Sequence, residues 1–206
     1  MSDIDDTIGI LLAGGLGRRM GGGEKSLKTI GGRLILDWVI ERSKPQVANL
    51  MLNANGNLEQ FRRFGLPVVS DVVGGFAGPL AGILTGLEWT LARYNNVRWV
   101  ASFATDAPFI PTDMVKMLKK AILDSRSDIA YASSSNQVHP VFALWPTSIA
   151  GELRHALVDE GIRKIDQFTA NYLTCKVDFA IDPIDPFFNV NNPENLVEAE
   201  SLYRLL

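Results

Sequence analysis

A short apolar run from Ile8 to Gly14 leads without a break into Gly15-Leu16-Gly17-Arg18-Arg19-Met20-Gly21-Gly22-Gly23-Glu24-Lys25. This feature constrains the fold most. An apolar strand that opens into glycine-rich backbone suits the edge of a parallel sheet, where loops and helix N-termini converge on a ligand. Glycine lets amides approach anionic oxygens closely, and Arg18, Arg19 and Lys25 offer positive charge to a polyphosphate. Without that placement, the same segment reads as a surface loop with solvated basic residues.

The rest of the chain repeats the alternation of short apolar runs and helix-period stretches. Strands are expected at Ile8 to Gly14, Ala48 to Asn53, Leu66 to Ser70, Arg98 to Thr105, Asp128 to Ala132 and Pro140 to Trp145. Helices are expected at Leu34 to Ser43, at Pro79 to Arg93 with a proline in the first turn, and after Thr112 as N-cap. Asn192 and Pro193 open a C-terminal helix, and "IRKIDQF" reads as a short one. The pattern predicts an α/β fold, a three-layer Rossmann-like and mostly parallel sheet with helices on both faces. After the fourth strand it loosens: "SSSNQVHPVFALWP" reads as a loop entering a strand, and an antiparallel pair is expected in this half. No internal repeat or linker composition divides residues 1–206, so one domain is expected.

Charge and cysteine content exclude several classes. A net charge of -3 and an isoelectric point near 5.4 leave no general basic surface for a nucleic-acid backbone. Cys175 is the sole cysteine, which removes internal disulfides and multi-cysteine metal sites and suits a reducing compartment. The opening "MSDIDDTIG" is acidic where a secretory signal needs positive charge, and no apolar run reaches membrane-spanning length. A cytoplasmic protein with neither nucleic acid nor membrane as partner is expected.

Four expected strands end in polar groups or bare backbone: the glycine loop, then Asn53-Ala54-Asn55, then Ser70-Asp71, then Thr105-Asp106. Singly each has a plain reading, Asn55-Gly56 as a turn and Asp106 as a loop-shaping residue. Together on one edge they mark a functional crevice. Known phosphate cradles do not fit the loop. A P-loop needs glycine before Lys-Ser, where Glu24 stands, and the dinucleotide fingerprint lacks its third glycine.

With these residues in view, "LAGGLGRRMGGGEK" resembles the signature loop of nucleotidyltransferases that activate small phosphorylated molecules, in particular the molybdenum cofactor guanylyltransferases. The likeness continues through "LNANG" (52–56), "VVSD" (68–71), "GPLAG" (78–82), "TDAPFIP" (105–111), "HPVFAL" (139–144) and "FNVNNPENL" (188–196). Related cytidylyltransferases favour alanine where Gly14 stands, so the resemblance favours guanine. It implies transfer of GMP from GTP to the terminal phosphate of molybdenum-molybdopterin, with pyrophosphate released and Mg2+ assisting. Leu12, Ala13, Gly14 and Gly15 would line the nucleotide through their backbone, Lys25 would meet the phosphates, and Asn53 and Asp71 would contact the nucleotide. Asp106 would hold the metal. Arg19 would spread charge beside Lys25, and Asn189 and Asn191 would belong to the acceptor side. His139 stays open between that side and a structural role before Pro140. Glu24 departs from the family's usual aspartate and Thr105 from a frequent cysteine. Molybdoenzyme-maturation proteins are the implied protein partners. The competing readings are a cytidylyl- or sugar-phosphate nucleotidyltransferase on the same scaffold, and a non-catalytic nucleotide-binding cofactor carrier.

Overall fold

The computed structural model describes residues 6–13, 24–75 and 78–205. Strand β1 (Thr7–Ala13) is buried along its length. Ile8, Ile10 and Leu12 pack into one core and Leu11 and Ala13 into another, as the alternation of a strand covered on both faces requires. It pairs in parallel with β4 (Asn49–Ala54) and β6 (Trp99–Ala104), and β5 (Val68–Val69) adds in parallel outside β4. Beyond β6, β8 (Gln137–Pro146) runs antiparallel to both β6 and β7 (Ile129–Ser134), and β9 (Thr174–Asp178) lies parallel to β7. The seven-stranded order is β5-β4-β1-β6-β8-β7-β9. A separate hairpin joins β2 (Thr29–Ile30) and β3 (Arg33–Leu34).

Helices α1 (Ile35–Ser43), α3 (Met114–Ser125) and α6 (Pro193–Tyr203) cover the face of Leu11 and Phe103. Helices α2 (Pro79–Leu91), α4 (Ala150–Val158) and α5 (Ile165–Thr169) cover the face of Ile10 and Trp145. The result is the expected three-layer, mostly parallel α/β sheet. Burying a side chain of the size of Phe103 contributes about 1.5–3 kcal/mol. A buried polar pair links β6 and β8: the Trp145 indole donates to Ser102 Oγ at 2.9 Å, and Ser102 donates on to the Val141 carbonyl at 2.5 Å.

Several expected boundaries move. The third strand shrinks to β5, although the Pro67 carbonyl just before it still accepts from the Leu52 amide of β4 at 2.9 Å. Thr112 is not the cap of α3: Asp113 holds that position, without a side-chain hydrogen bond. Asn192 does cap α6, accepting from the Asn195 amide at 2.7 Å with Pro193 in the first turn. The segment expected to be a loop entering a strand is a hairpin, in which Ser135 and Asn136 turn at φ 45° and 63° and join β7 to β8. That hairpin contains the expected antiparallel pair. Helix α4 and the β2–β3 hairpin were not expected.

Candidate active site

The carboxyl ends of β1, β4, β5 and β6 open on a cleft of about 620 Å³. Leu12, Asn53, Asp71, Asp106, Asn189 and Asn191 line it together, bringing most of the sequence-derived candidates to one place. Asp106 follows directly on β6, and its carbonyl accepts from the Val190 amide at 2.8 Å, which docks the 189–191 segment against the strand end. Lys25 begins a short 3-10 turn. Its Nζ donates to Asn191 Oδ1 at 2.8 Å and lies 3.8 Å from Asp106 Oδ2. A lysine and an aspartate separated by most of the N-terminal half thus meet at the centre of the sheet edge.

Ala13 is buried with its side chain in the α1-side core, so its backbone is what it offers the edge. Gly14, Gly15 and Arg19 lie outside the described residues. Thr105 turns inward and donates to the Leu12 carbonyl at 3.2 Å, tying β1 to β6.

The polar residues at the ends of β4 and β5 form a closed network. Asn53 Nδ2 donates to Asp71 Oδ1 at 2.9 Å and to the Val69 carbonyl at 3.2 Å. Asn55 Nδ2 donates to Asp71 Oδ2 at 2.8 Å, while Asn55 Oδ1 accepts from the Asp71 amide at 3.1 Å. Asn55, read from sequence as half of a turn pair, therefore clamps Asp71 from both its side chain and its backbone; its place at a strand end was the available signal. Under the nucleotide contact that the resemblance implies for Asp71, Asn55→Ala is expected to raise the nucleotide KM about fivefold, from roughly 1 kcal/mol of lost hydrogen bonding, and to leave the KM of the other substrate unchanged. Steady-state kinetics with each substrate varied checks this.

Gly82, inside α2, also proves to belong to the site. A Cβ there would stand 2.5 Å from Asn53 Oδ1 and 2.6 Å from Leu12 Cδ2. The leucine tip is the end of a flexible side chain, whereas the Asn53 amide is pinned by Val69 and Asp71. Alanine ordinarily stabilises a helix over glycine by about 1 kcal/mol, and overpacking costs about 1–3 kcal/mol. Gly82→Ala is expected to be destabilising by about 1 kcal/mol, as denaturant titration will report.

Burial pushes the Asp106 carboxyl above the ordinary carboxylate range, against the downward pull of Lys25 and a backbone hydrogen bond. Glu24 is raised as well, first by burial, with the Ser26 hydroxyl lowering it, Asp106 raising it and Lys25 lowering it. Among the described residues, two acids thus surround one ammonium. Asn189 Oδ1 adds a buried oxygen without a hydrogen-bond partner among the described residues. Among those residues no group of three His, Cys, Asp or Glu side chains is placed to hold a metal. An oxygen-only donor set with one carboxylate fits a hard cation whose remaining ligands are phosphates and water.

Such a cleft, at the carboxyl edge of a parallel sheet with a lysine and an aspartate at its centre, is that of a nucleotide-handling α/β enzyme, and the MobA-like NTP transferase domain matches residues 9–173. The chain is a nucleotidyltransferase. A molybdenum cofactor guanylyltransferase of Rhodopseudomonas palustris is 49% identical over 202 residues, covering 98% of this chain and 96% of the relative. One of Nitrobacter hamburgensis is 50% identical over 203 residues, covering 98% and 97%. The chain belongs to the molybdenum cofactor guanylyltransferase family. In fold it is similar to molybdopterin-guanine dinucleotide biosynthesis protein A of Archaeoglobus fulgidus, with a TM-score of 0.72 at 24% identity over 97% of this chain and 100% of that one. A Mycobacterium tuberculosis protein in complex with manganese gives a TM-score of 0.69 at 16% identity, over 96% and 99%. No helix among the described residues is long and apolar enough to cross a membrane.

Proposed function

We propose that this protein transfers GMP from GTP to the terminal phosphate of molybdenum-molybdopterin, releasing pyrophosphate and forming a guanine dinucleotide, and that residues 1–206 act as one nucleotidyltransferase domain. The observation that carries the reading is the meeting of Lys25 and Asp106, 3.8 Å apart at the end of β6. A phosphate oxygen of the acceptor attacks the α-phosphorus of GTP, the new P–O bond forms, and the bond to the departing pyrophosphate breaks. Both partners are anionic, so the obstacles are repulsion and alignment, and no protein nucleophile is required.

Lys25 places its ammonium where triphosphate charge gathers, and Arg19 takes the charge-spreading role that the resemblance implies. Leu12 and Ala13, with Gly14 and Gly15, supply backbone to the nucleotide, and Asn53 and Asp71 hold it on the β4–β5 side. Asn191 positions the Lys25 ammonium, and Asn189 and Asn191 bound the acceptor side. Asp106, with the free Asn189 Oδ1 near it in the fold, would hold Mg2+, which when bound supplies positive charge at the α-phosphate and the leaving pyrophosphate. A cytoplasmic setting and handover of the product to molybdoenzyme-maturation proteins complete the proposal.

Pyrophosphate release from GTP and from CTP, each with molybdenum-molybdopterin and Mg2+, tests it. Release from GTP that depends on the acceptor supports the reading. Preference for CTP overturns the base assignment, and GTP binding without any turnover points instead to a carrier.

A further inference from the structure

His139 lies on β8, on the far side of β6 from β1 and β4, which bear Leu12 and Asn53, and from β5, which Asp71 follows. The sheet order therefore sets Asp106 between a nucleotide side and an opposite wall formed by Val138, His139, Pro140 and Phe142. His139 is 9% exposed. Its ring lies 4.8 Å from that of Phe187 at an interplanar angle of 32°, with Phe142 edge-on at 6.5 Å. These contacts fix the plane of the imidazole.

Hydrogen-bond accounting then fixes its protons. Ser134 Oγ donates to Asp185 Oδ1 at 2.9 Å, and that oxygen also accepts from the Phe187 amide at 2.9 Å. A serine hydroxyl has one proton. Having given it to Asp185, Ser134 Oγ must accept from His139 Nε2, 2.8 Å away. The proton of the neutral ring is thus on Nε2, and Nδ1 carries a lone pair. Burial holds His139 below the ordinary histidine range despite the opposing charge of Asp185, so the ring is neutral near pH 7. Nδ1 has no hydrogen-bond partner among the described residues. The cleft thus has in its acceptor-side wall a nearly buried, oriented acceptor atom whose opposite nitrogen is locked by a Ser–Asp pair.

We propose that His139 is a specificity residue for the acceptor: its Nδ1 accepts a hydrogen bond from an N–H group of the pterin, and Ser134 and Asp185 are positioning residues that hold the required tautomer. This inference rests on the reading of the acceptor as molybdenum-molybdopterin. A single acceptor in this wall discriminates strongly, because a ring without a donor there leaves Nδ1 unpaired.

Two measurements test it. In nitrogen-15 NMR of the uniformly labelled wild-type protein at pH 7, His139 is expected as the Nε2–H tautomer, and molybdenum-molybdopterin is expected to shift the Nδ1 resonance; the Nδ1–H tautomer, or an unmoved Nδ1, overturns the proposal. In steady-state kinetics, His139→Phe is expected to raise the acceptor KM about tenfold to a hundredfold, with the KM for GTP within about twofold. His139→Asn keeps an acceptor oxygen near the Nδ1 position and is expected to recover most of that loss. Ser134→Ala is expected to raise the acceptor KM by a smaller factor and to populate the other tautomer. A rise in the GTP KM instead, or an unchanged acceptor KM in a folded His139→Phe, overturns the assignment while leaving the proposed reaction standing. Absence of transfer by the wild-type protein removes the proposed reaction and this inference with it.

Discussion

Asp106→Ala is expected to lower nucleotidyl transfer by roughly a thousandfold or more, on the order of 4 kcal/mol of transition-state stabilisation, with GTP still bound. The carboxylate sits 3.8 Å from Lys25 Nζ, and its hydrogen bond is to its own backbone rather than to another element. The Asp106 backbone carbonyl, which holds the 189–191 segment through Val190, survives the substitution. The lost group is therefore charge at the reacting phosphates, and excess Mg2+ should not restore the rate. Asp106→Asn, with the same shape and no charge, should be nearly as impaired. Acceptor-dependent pyrophosphate release, together with a GTP binding isotherm, separates loss of chemistry from loss of binding. Near wild-type turnover in either variant removes Asp106 from the reaction.

Lys25→Ala is expected to slow turnover about a hundredfold. An ammonium about 4 Å from a phosphate charge gains roughly 4 kcal/mol in gross Coulomb terms at an effective dielectric of about 20. Desolvation offsets part of that, leaving about 3 kcal/mol specific to the transition state. The effect is smaller than at Asp106 because Lys25 shares its task with other positive groups, whereas Asp106 is the one carboxylate proposed to anchor the cation. Removal of Lys25 also leaves Asn191 Oδ1 without its 2.8 Å donor, so some loosening of the acceptor side is expected as a modest rise in acceptor KM. Single-turnover rates measured at saturating substrates check the prediction. Turnover within a few-fold of wild type contradicts it.

The parallel half of the sheet was legible because each strand there is a short apolar run that ends abruptly in Asn, Asp or glycine backbone. Lys25 and Asp106 were candidates from that edge, each following a strand that the core forces side by side, and the resemblance singled them out. Asn55 was harder, because Asn-Gly describes a turn equally well and its bonds to Asp71 depend on how closely β4 and β5 approach. The Ser135-Asn136 turn hid the β7–β8 hairpin: positive φ at both residues usually announces itself with glycine, and neither position carries one. Helix α4 has helical spacing at Leu153, Ala156 and Leu157, but Gly151, a poor helix former, interrupts its first turn. Gly82 and His139 depend on contacts distant in sequence, Gly82 with Asn53 and Leu12, His139 with Asp185. No local pattern encodes such approaches.

The central claim is that one triphosphate lies between Lys25 and Asp106, with the base toward β4 and β5 and the acceptor toward β8. A crystal structure of the protein with GTP and Mg2+ tests it most directly. The account predicts Lys25 Nζ on a phosphate oxygen, the metal bridging Asp106 to the phosphates, and the cleft beside His139 open. A nucleotide bound outside this cleft, or one that reaches Lys25 with Asp106 remote from both metal and phosphate, contradicts it.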